Sequence, residues 1–236
     1  MKYVGSKNRL SKYIVPIIQS KINDETKGYI EPFVGGANII DKINCKNKIG
    51  CDINEYLISL LRIVRDKPNL LPDTITEQEY IKVRDNKDKY DKWFVGLVGF
   101  CATYGSKWFD GYARGVKSDG ITKRDIPNEA IRNLLKQSKR IRDCKFKNIS
   151  YLDIPDVEGY VIYCDPPYRG ATGYKDSINY EQFYNWCRKM SKKNIVIISE
   201  YDMPIDFKCI WEYEHKTTLK VNKHEKRIEK LFVLGE

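Results

Sequence analysis

Tyr163-Cys164-Asp165-Pro166-Pro167-Tyr168 sets a carboxylate at the end of an apolar run, followed by two prolines and an aromatic ring. Pro167 holds Pro166 extended, so the carbonyl of Pro166 is fixed outside any helix. The carboxylate of Asp165 and that carbonyl can then each accept one hydrogen of an exocyclic amino group, while Tyr168 stacks on the planar base that bears it. Taken alone, the same residues are also an ordinary strand-ending Asp before a Pro-Pro turn. A second group lies upstream, where Glu31-Pro-Phe-Val-Gly-Gly-Ala-Asn38 follows an apolar strand and precedes a helix. Open α/β sheets bind nucleotide-like cofactors at such turns. Asp52 ends the next strand, about twenty residues on, where an acidic side chain takes ribose hydroxyls. Singly, a glycine turn is more often structural and a strand-ending Asp a helix cap; the spacing of the two together favours a cofactor site.

These groups need a sheet to bring them together, and the patterning supplies one. An amphipathic helix is expected over residues 11–22, a strand over 28–31, a short helix after Ala37, a strand over 48–52, and a helix whose Tyr56, Leu57, Leu60, Leu61 and Val64 share one face. From about Arg65 the periodicity changes. Pro68 and Pro72 break the chain, and Thr76 with Glu79 has the spacing of a capping box for a helix reaching Asn86. An apolar helix over 93–103, a glycine-rich aromatic stretch over 104–115, and a helix bearing Ile131, Leu134, Leu135 and Ile141 follow. Strands resume at 160–164 and 195–199 around a helix with Tyr180, Phe183, Tyr184 and Cys187, and residues 209–213 and 231–234 form a closing antiparallel pair. The fold expected is α/β, with a catalytic domain over 1–64 and 146–236 and a mainly helical insertion over 65–145.

The chain has 42 Lys+Arg against 32 Asp+Glu, a net charge of +10. A polyanionic partner follows, nucleic acid ahead of an anionic membrane surface. Residues 62–148 hold about 20 Lys+Arg and about 12 Asp+Glu, so most of the excess lies in the insertion. Neither a signal peptide nor a membrane-spanning run is expected. The seven cysteines show no paired spacing, which fits a reducing cytoplasm, and His215 and His224 alone offer little to a metal or triad site. No metal is expected.

The chain resembles DNA adenine methyltransferases of the Dam type, in the alpha-class motif order. Lys2-Tyr-Val-Gly-Ser-Lys7 resembles that family's N-terminal cofactor segment, residues 31–38 its glycine motif, Asp52 its ribose acid, and residues 165–168 its catalytic DPPY. Asn148-Ile-Ser-Tyr-Leu-Asp153 is similar to the segment bordering the cofactor adenine, and Ile198-Ser-Glu-Tyr201 to a later sheet motif. Ala37 departs from the pattern, which often has a third glycine. The resemblance implies a Rossmann-like, S-adenosylmethionine-dependent methyltransferase fold whose insertion is the target-recognition region. It implies that Tyr3, Lys7, Glu31, Phe33, Gly35, Asp52, Ser150, Tyr151 and Asp165 contact the cofactor. Asp165, Pro166 and Tyr168 would act on the amino group, with Lys2 near the DNA.

The expected activity is therefore site-specific transfer of methyl from S-adenosylmethionine to the adenine amino group of double-stranded DNA, with base flipping and direct in-line transfer. The expected setting is a bacterial, phage or mobile-element cytoplasm, without an obligate protein partner. Cytosine ring methylation would need a Pro-Cys nucleophile, and no Pro here precedes Cys. The same amino-group chemistry would serve a cytosine amino group, RNA adenine or a protein glutamine, and a catalytically silent DNA-binding relative could keep the fold. Within residues 104–124, aromatic and basic side chains alternate with glycines and are poorly explained as core. Lys107, Arg114 and Arg124 could reach guanine edges. Tyr104, Trp108 and Tyr112 could wedge or stack beside the flipped base.

Overall fold

The computed structural model describes residues 1–168, 178–220 and 223–235, and side chains except those of residues 215–227. His215 and His224 thus have side chains outside the described set. Seven strands form one sheet: β1 (Gly28–Glu31), β2 (Lys48–Asp52), β3 (Cys144–Asn148), β4 (Tyr160–Cys164), β5 (Ile195–Glu200), β6 (Phe207–Lys220) and β7 (Lys223–Leu234). Their order is β3-β2-β1-β4-β5-β7-β6, with β1 to β5 parallel and β7 antiparallel to both neighbours. The central strands are short apolar runs covered on both faces, as parallel strands require: all four residues of β1 and the last four of β4 are buried.

The chain moves outward from β1 to β3 and returns to β4 beside β1, with Tyr29 opposite Val161 and Ile30 opposite Ile162. This reversal creates a crevice at the carboxyl ends of β1 and β4. The glycine turn leaves β1 there and Asp165 leaves β4 there. The Rossmann-like α/β class expected for a methyltransferase is the class observed.

Six helices pack around the sheet among the described residues: α1 (Ser11–Gln19), α2 (Glu55–Asp66), α3 (Glu77–Asp85), α4 (Lys92–Cys101), α5 (Ile126–Ser138) and α6 (Tyr180–Ser191). The face of α2 is as patterned, with Leu57, Leu60, Leu61 and Val64 at 0% exposure. Thr76 and Glu79 close the capping box of α3. Gly96 lets α4 lie against α2, because a Cβ there would sit 2.4 Å from the Tyr56 carbonyl.

One expectation needs correction. The short helix after Ala37 is a single 3-10 turn, Ile40–Lys42, because Ile43 is already extended toward β2. The patterning did not name β3, in which Cys144 and Phe146 are buried while Lys145 and Lys147 are exposed. The glycine-rich stretch and the residues after it form two short loops closed by single bridges, Thr103 with Tyr112 and Val116 with Lys123.

Val95, Leu97, Ile131 and Leu134 of the inserted helices bury in one cluster with Tyr29, Tyr163 and Ile197 of the sheet, so the insertion shares the sheet's core. All seven cysteines are free. Among the described residues, no helix is long and apolar enough to cross a membrane.

Candidate active site

The N-terminal segment lies over the glycine turn because Asn38 donates from Nδ2 to the Met1 carbonyl and to Ser6 Oγ, each at 2.8 Å. Tyr3 packs against Phe100, and a Cβ on Gly35 would meet the Tyr3 ring at 3.2 Å. Gly35 has φ +46° and Ala37 φ +54°, both left-handed. The turn therefore keeps a glycine conformation at Ala37 despite its methyl, at a strain of about 1–2 kcal/mol.

The turn is tied to the end of β2. Gly35 N–H donates to Asp52 Oδ2 at 3.2 Å and Asn54 N–H to Oδ1 at 3.0 Å. Burial pushes the Asp52 carboxyl up to about 6, against the lowering effect of those backbone donors. Asn148 links β3 to the same edge by donating to the Asp52 and Ile53 carbonyls. Ser150 Oγ caps the turn beyond β3 by accepting from Leu152 N–H, and the adjacent Tyr151 ring lies 5.4 Å from that of Phe33. Phe33, Gly35, Asp52, Ser150 and Tyr151 are thus neighbours along the ends of β1, β2 and β3. Glu31 is different: it is 3% exposed and accepts from the Tyr29 hydroxyl at 2.7 Å. Burial drives its carboxyl well above the usual range.

On the other side of the crevice, Lys7 Nζ lies 3.0 Å from Asp165 Oδ1 and 3.4 Å from Glu229 Oε1. Burial disfavours this ammonium, but attraction to Asp165 and Glu229 prevails and holds its pKa above the ordinary lysine value. Burial raises Asp165 to about 6; Lys7 opposes the rise and Glu229 adds to it. The Lys7 ammonium also sits 4.2 Å from the centre of the Tyr168 ring. The Tyr168 hydroxyl and Ser199 Oγ, 2.7 Å apart, both donate to Glu229 Oε1, Ser199 at 2.6 Å. Tyr180 donates to the Pro167 carbonyl at 2.5 Å, and among the described residues nothing donates to that of Pro166.

Of the residues named from sequence, Asp165, Pro166, Tyr168 and Lys7 meet in one cluster, with Lys7 on the carboxylate. Glu229, Ser199 and Tyr180 were not named as site residues from the sequence. Ser199 lies in the stretch matched to a later sheet motif. Glu229 stands between Ile228 and Lys230 in a charge-rich tail and gives no local signal. Among the described residues, no group of three His, Cys, Asp or Glu side chains could hold a metal ion.

The inserted loops correct one expectation. Trp108 packs on Tyr56, Phe100 and Phe109, and Gly99 leaves room for it, since a Cβ would lie 2.6 Å from its ring. Tyr112 packs on Tyr80 and donates to the Ile75 carbonyl at 2.7 Å. Both are half-buried and packed against the core. Tyr104 is 66% exposed. Arg114 pairs with Glu77, Arg124 with Glu129, and Lys107 with Asp110 at 3.6 Å; Lys2 is exposed.

The model of the D12 class N6 adenine-specific DNA methyltransferases matches residues 3–224. The chain is 25% identical to the type II methyltransferase M.MjaIII of Methanocaldococcus jannaschii, over 88% of this chain and 85% of that protein. It is 24% identical to the type II methyltransferase M.FokI of Planomicrobium okeanokoites, over 84% of this chain but 33% of that protein. The family match runs from the N-terminal turn through the Asp165 cluster and into the terminal hairpin, so the chain belongs to the D12 class N6 adenine-specific DNA methyltransferase family and is an enzyme that methylates adenine in DNA.

Proposed function

We propose that Asp165 and the Pro166 carbonyl accept the two hydrogens of an adenine amino group, and that the base leaves duplex DNA to reach them. The observation that carries this reading is Asp165 itself, at the end of β4 beside the glycine turn of β1 and 3.0 Å from Lys7. Drawing on both hydrogens favours the tetrahedral nitrogen that attack requires. The carboxylate then stabilises the positive charge building on that nitrogen, in a site where water is scarce. Lys7 keeps the carboxylate ionised. Flipping the base costs a few kcal/mol, which stacking on Tyr168 partly offsets. Lys7 occupies one face of that ring, so the base takes the other face or displaces the ammonium.

The donor set suits S-adenosylmethionine, which supplies a methyl group on a cationic sulfonium. The packed rings of Phe33 and Tyr151 offer an aromatic wall for an adenine, with Ser150 at its border, and Asp52 offers a carboxylate to ribose hydroxyls. Gly35 leaves a cradle against Tyr3 that a Cβ would narrow. Residues 1–64 and 146–236 carry this chemistry. Residues 65–145, which bear most of the positive excess, recognise the target, with Lys2, Tyr104, Lys107, Arg114 and Arg124 facing double-stranded DNA. The enzyme acts in a prokaryotic cytoplasm, within a restriction-modification setting like that implied by the names of its relatives.

Incubation with tritiated S-adenosylmethionine and duplex DNA, followed by hydrolysis, should give label in N6-methyladenine. Label found only in cytosine, RNA or protein would exclude the reading.

A further inference from the structure

We propose that Glu229 on β7 is a positioning residue for methyl transfer, holding Tyr168 and Lys7 in the arrangement that presents Asp165 to the amino group. The proposal rests on the amino-group reading above. Glu229 is 2% exposed, and one of its oxygens meets three donors: Ser199 Oγ at 2.6 Å, the Tyr168 hydroxyl, and Lys7 Nζ at 3.4 Å. Each donor stands on a different element. Ser199 belongs to β5, Tyr168 follows β4, and Lys7 opens the N-terminal turn.

A carboxylate in this position is poorly explained by stability alone. Burying a charge costs several kcal/mol, and well-packed apolar side chains often serve a sheet equally well. What an apolar residue could not do is fix a tyrosine ring by its hydroxyl while drawing an ammonium toward the same point. Both actions converge on Asp165: the ring is held beside the carboxylate, and the ammonium is shared between the two acids. Sharing matters chemically. An ammonium given wholly to Asp165 would compete with the amino hydrogens for its lone pairs, whereas a second anion draws it away.

The two functions of Glu229 separate by substitution. Glu229→Gln keeps an oxygen acceptor for Ser199 and Tyr168 but removes the charge; Glu229→Ala removes both. The groups that bear on Asp165 ionisation are Lys7 from the N-terminal turn, Glu229 from β7, Tyr163 within β4, Tyr168 and Glu31. Of these, Glu229 is a like charge that raises the Asp165 pKa, so its neutralisation moves the acid limb of the transfer rate to lower pH.

The test is single-turnover methylation of duplex DNA across pH by the full chain, its two Glu229 variants, and Asp165→Ala. Glu229→Gln should stay within about tenfold of the parent rate with its acid limb displaced to lower pH. Glu229→Ala should lose on the order of 100-fold in the transfer step, with cofactor and DNA dissociation constants within roughly threefold of the parent. An unmoved acid limb in Glu229→Gln overturns the proposal, whether or not Glu229→Ala folds. So does a Glu229→Ala loss that merely tracks its folded fraction. If the parent makes no N6-methyladenine, or Asp165→Ala matches the parent, the amino-group reading itself fails.

Discussion

The ammonium of Lys7 lies 3.0 Å from the carboxylate of Asp165, with 9% and 21% of the two side chains exposed. The Dam-type resemblance assigns Lys7 to the cofactor, yet its position makes it the counter-ion of the residue on which the proposed amino-group chemistry depends. A carboxylate so enclosed would drift toward its neutral form, and a neutral acid cannot accept two N–H donors as strongly. The pair reconciles burial, which strengthens charge stabilisation, with the ionised state that acceptance needs.

Asp165→Ala should reduce methyl transfer by at least 10²- to 10³-fold while leaving the fold intact. DNA affinity should survive and fall steeply with salt if, as proposed, it rests on phosphate contacts from the basic insertion. Near-normal turnover would remove Asp165 from the centre of the mechanism.

The parent rate should fall as pH drops through about 6, the value to which burial raises Asp165. The carboxylate is the active form, so protonation switches it off. Stability runs the opposite way: a raised acid favours the folded state most below its unfolded pKa, and that benefit is lost as pH rises through about 6. A transfer rate constant flat from pH 5 to 8, measured by single turnover, would contradict this assignment.

Asp52→Ala should weaken S-adenosylmethionine binding by about 1.5–3 kcal/mol, since two ribose hydroxyls lose a charged acceptor. The cofactor-free protein should respond differently. Asp52 is also raised to about 6 by burial, so its stabilising contribution is present below the ordinary carboxylate range and is lost as pH rises through about 6. The variant should therefore gain stability relative to the parent between pH 4 and 7. Calorimetry for affinity and urea unfolding for stability check the two halves separately.

Much of the framework that brings Gly35, Asp52 and Asp165 to the same end of the sheet was legible because its parts are neighbours in sequence. The strand-turn-helix spacing around Gly35, Asp52 one strand later, and Asp165 before two prolines each carry a local pattern, and parallel β topology converts strand order into proximity. The capping box at Thr76 and Glu79 was legible for the same reason. Glu229 was not. Its partners lie on β4, β5 and the N-terminal turn, so only the sheet order brings them together. β3 was hidden by its lysines, since Lys145 and Lys147 mask the buried alternation of Cys144 and Phe146. Trp108 and Tyr112 misled in the opposite direction, because glycines around them suggested an open loop where Gly99 in fact makes room for a packed indole.

Gly35→Ala should injure the cofactor side alone. Its φ of +46° imposes about 1–2 kcal/mol of strain on any residue with a Cβ, and that Cβ would press the Tyr3 ring at 3.2 Å. Melting should fall by about 2–8 °C, and cofactor affinity should drop while DNA affinity at fixed salt does not. Unchanged cofactor affinity would show that the Tyr3 and Gly35 contact lies outside the site.

Sequence choice should map to Tyr104, Lys107, Arg114 and Arg124, and not to Trp108 or Tyr112. Trp108 and Tyr112 have packing partners and a hydrogen bond within the insertion, so alanine at either should cost about 2–4 kcal/mol of stability. The basic residues are held by acids at the surface: Glu77 on Arg114, Glu129 on Arg124, Asp110 on Lys107. Exposed pairs of this kind contribute about 1 kcal/mol or less, so a guanine edge or phosphate can take the cation over on binding. A residue that reads a base should, as alanine, relax the preferred site by roughly 1–3 kcal/mol at one position. One that touches phosphate should weaken binding evenly across sequences and reduce its salt slope by about 1. Glu77→Gln offers the complementary case: freeing Arg114 from its acid should tighten DNA binding without altering the preferred site if Arg114 contacts phosphate, and should sharpen the preference if it reads a base. Methylation of a randomised duplex library by each single variant distinguishes these outcomes. If all four alanine variants kept the parental preference and salt slope, recognition would have to lie outside residues 104–124, with Lys2 the next residue to substitute.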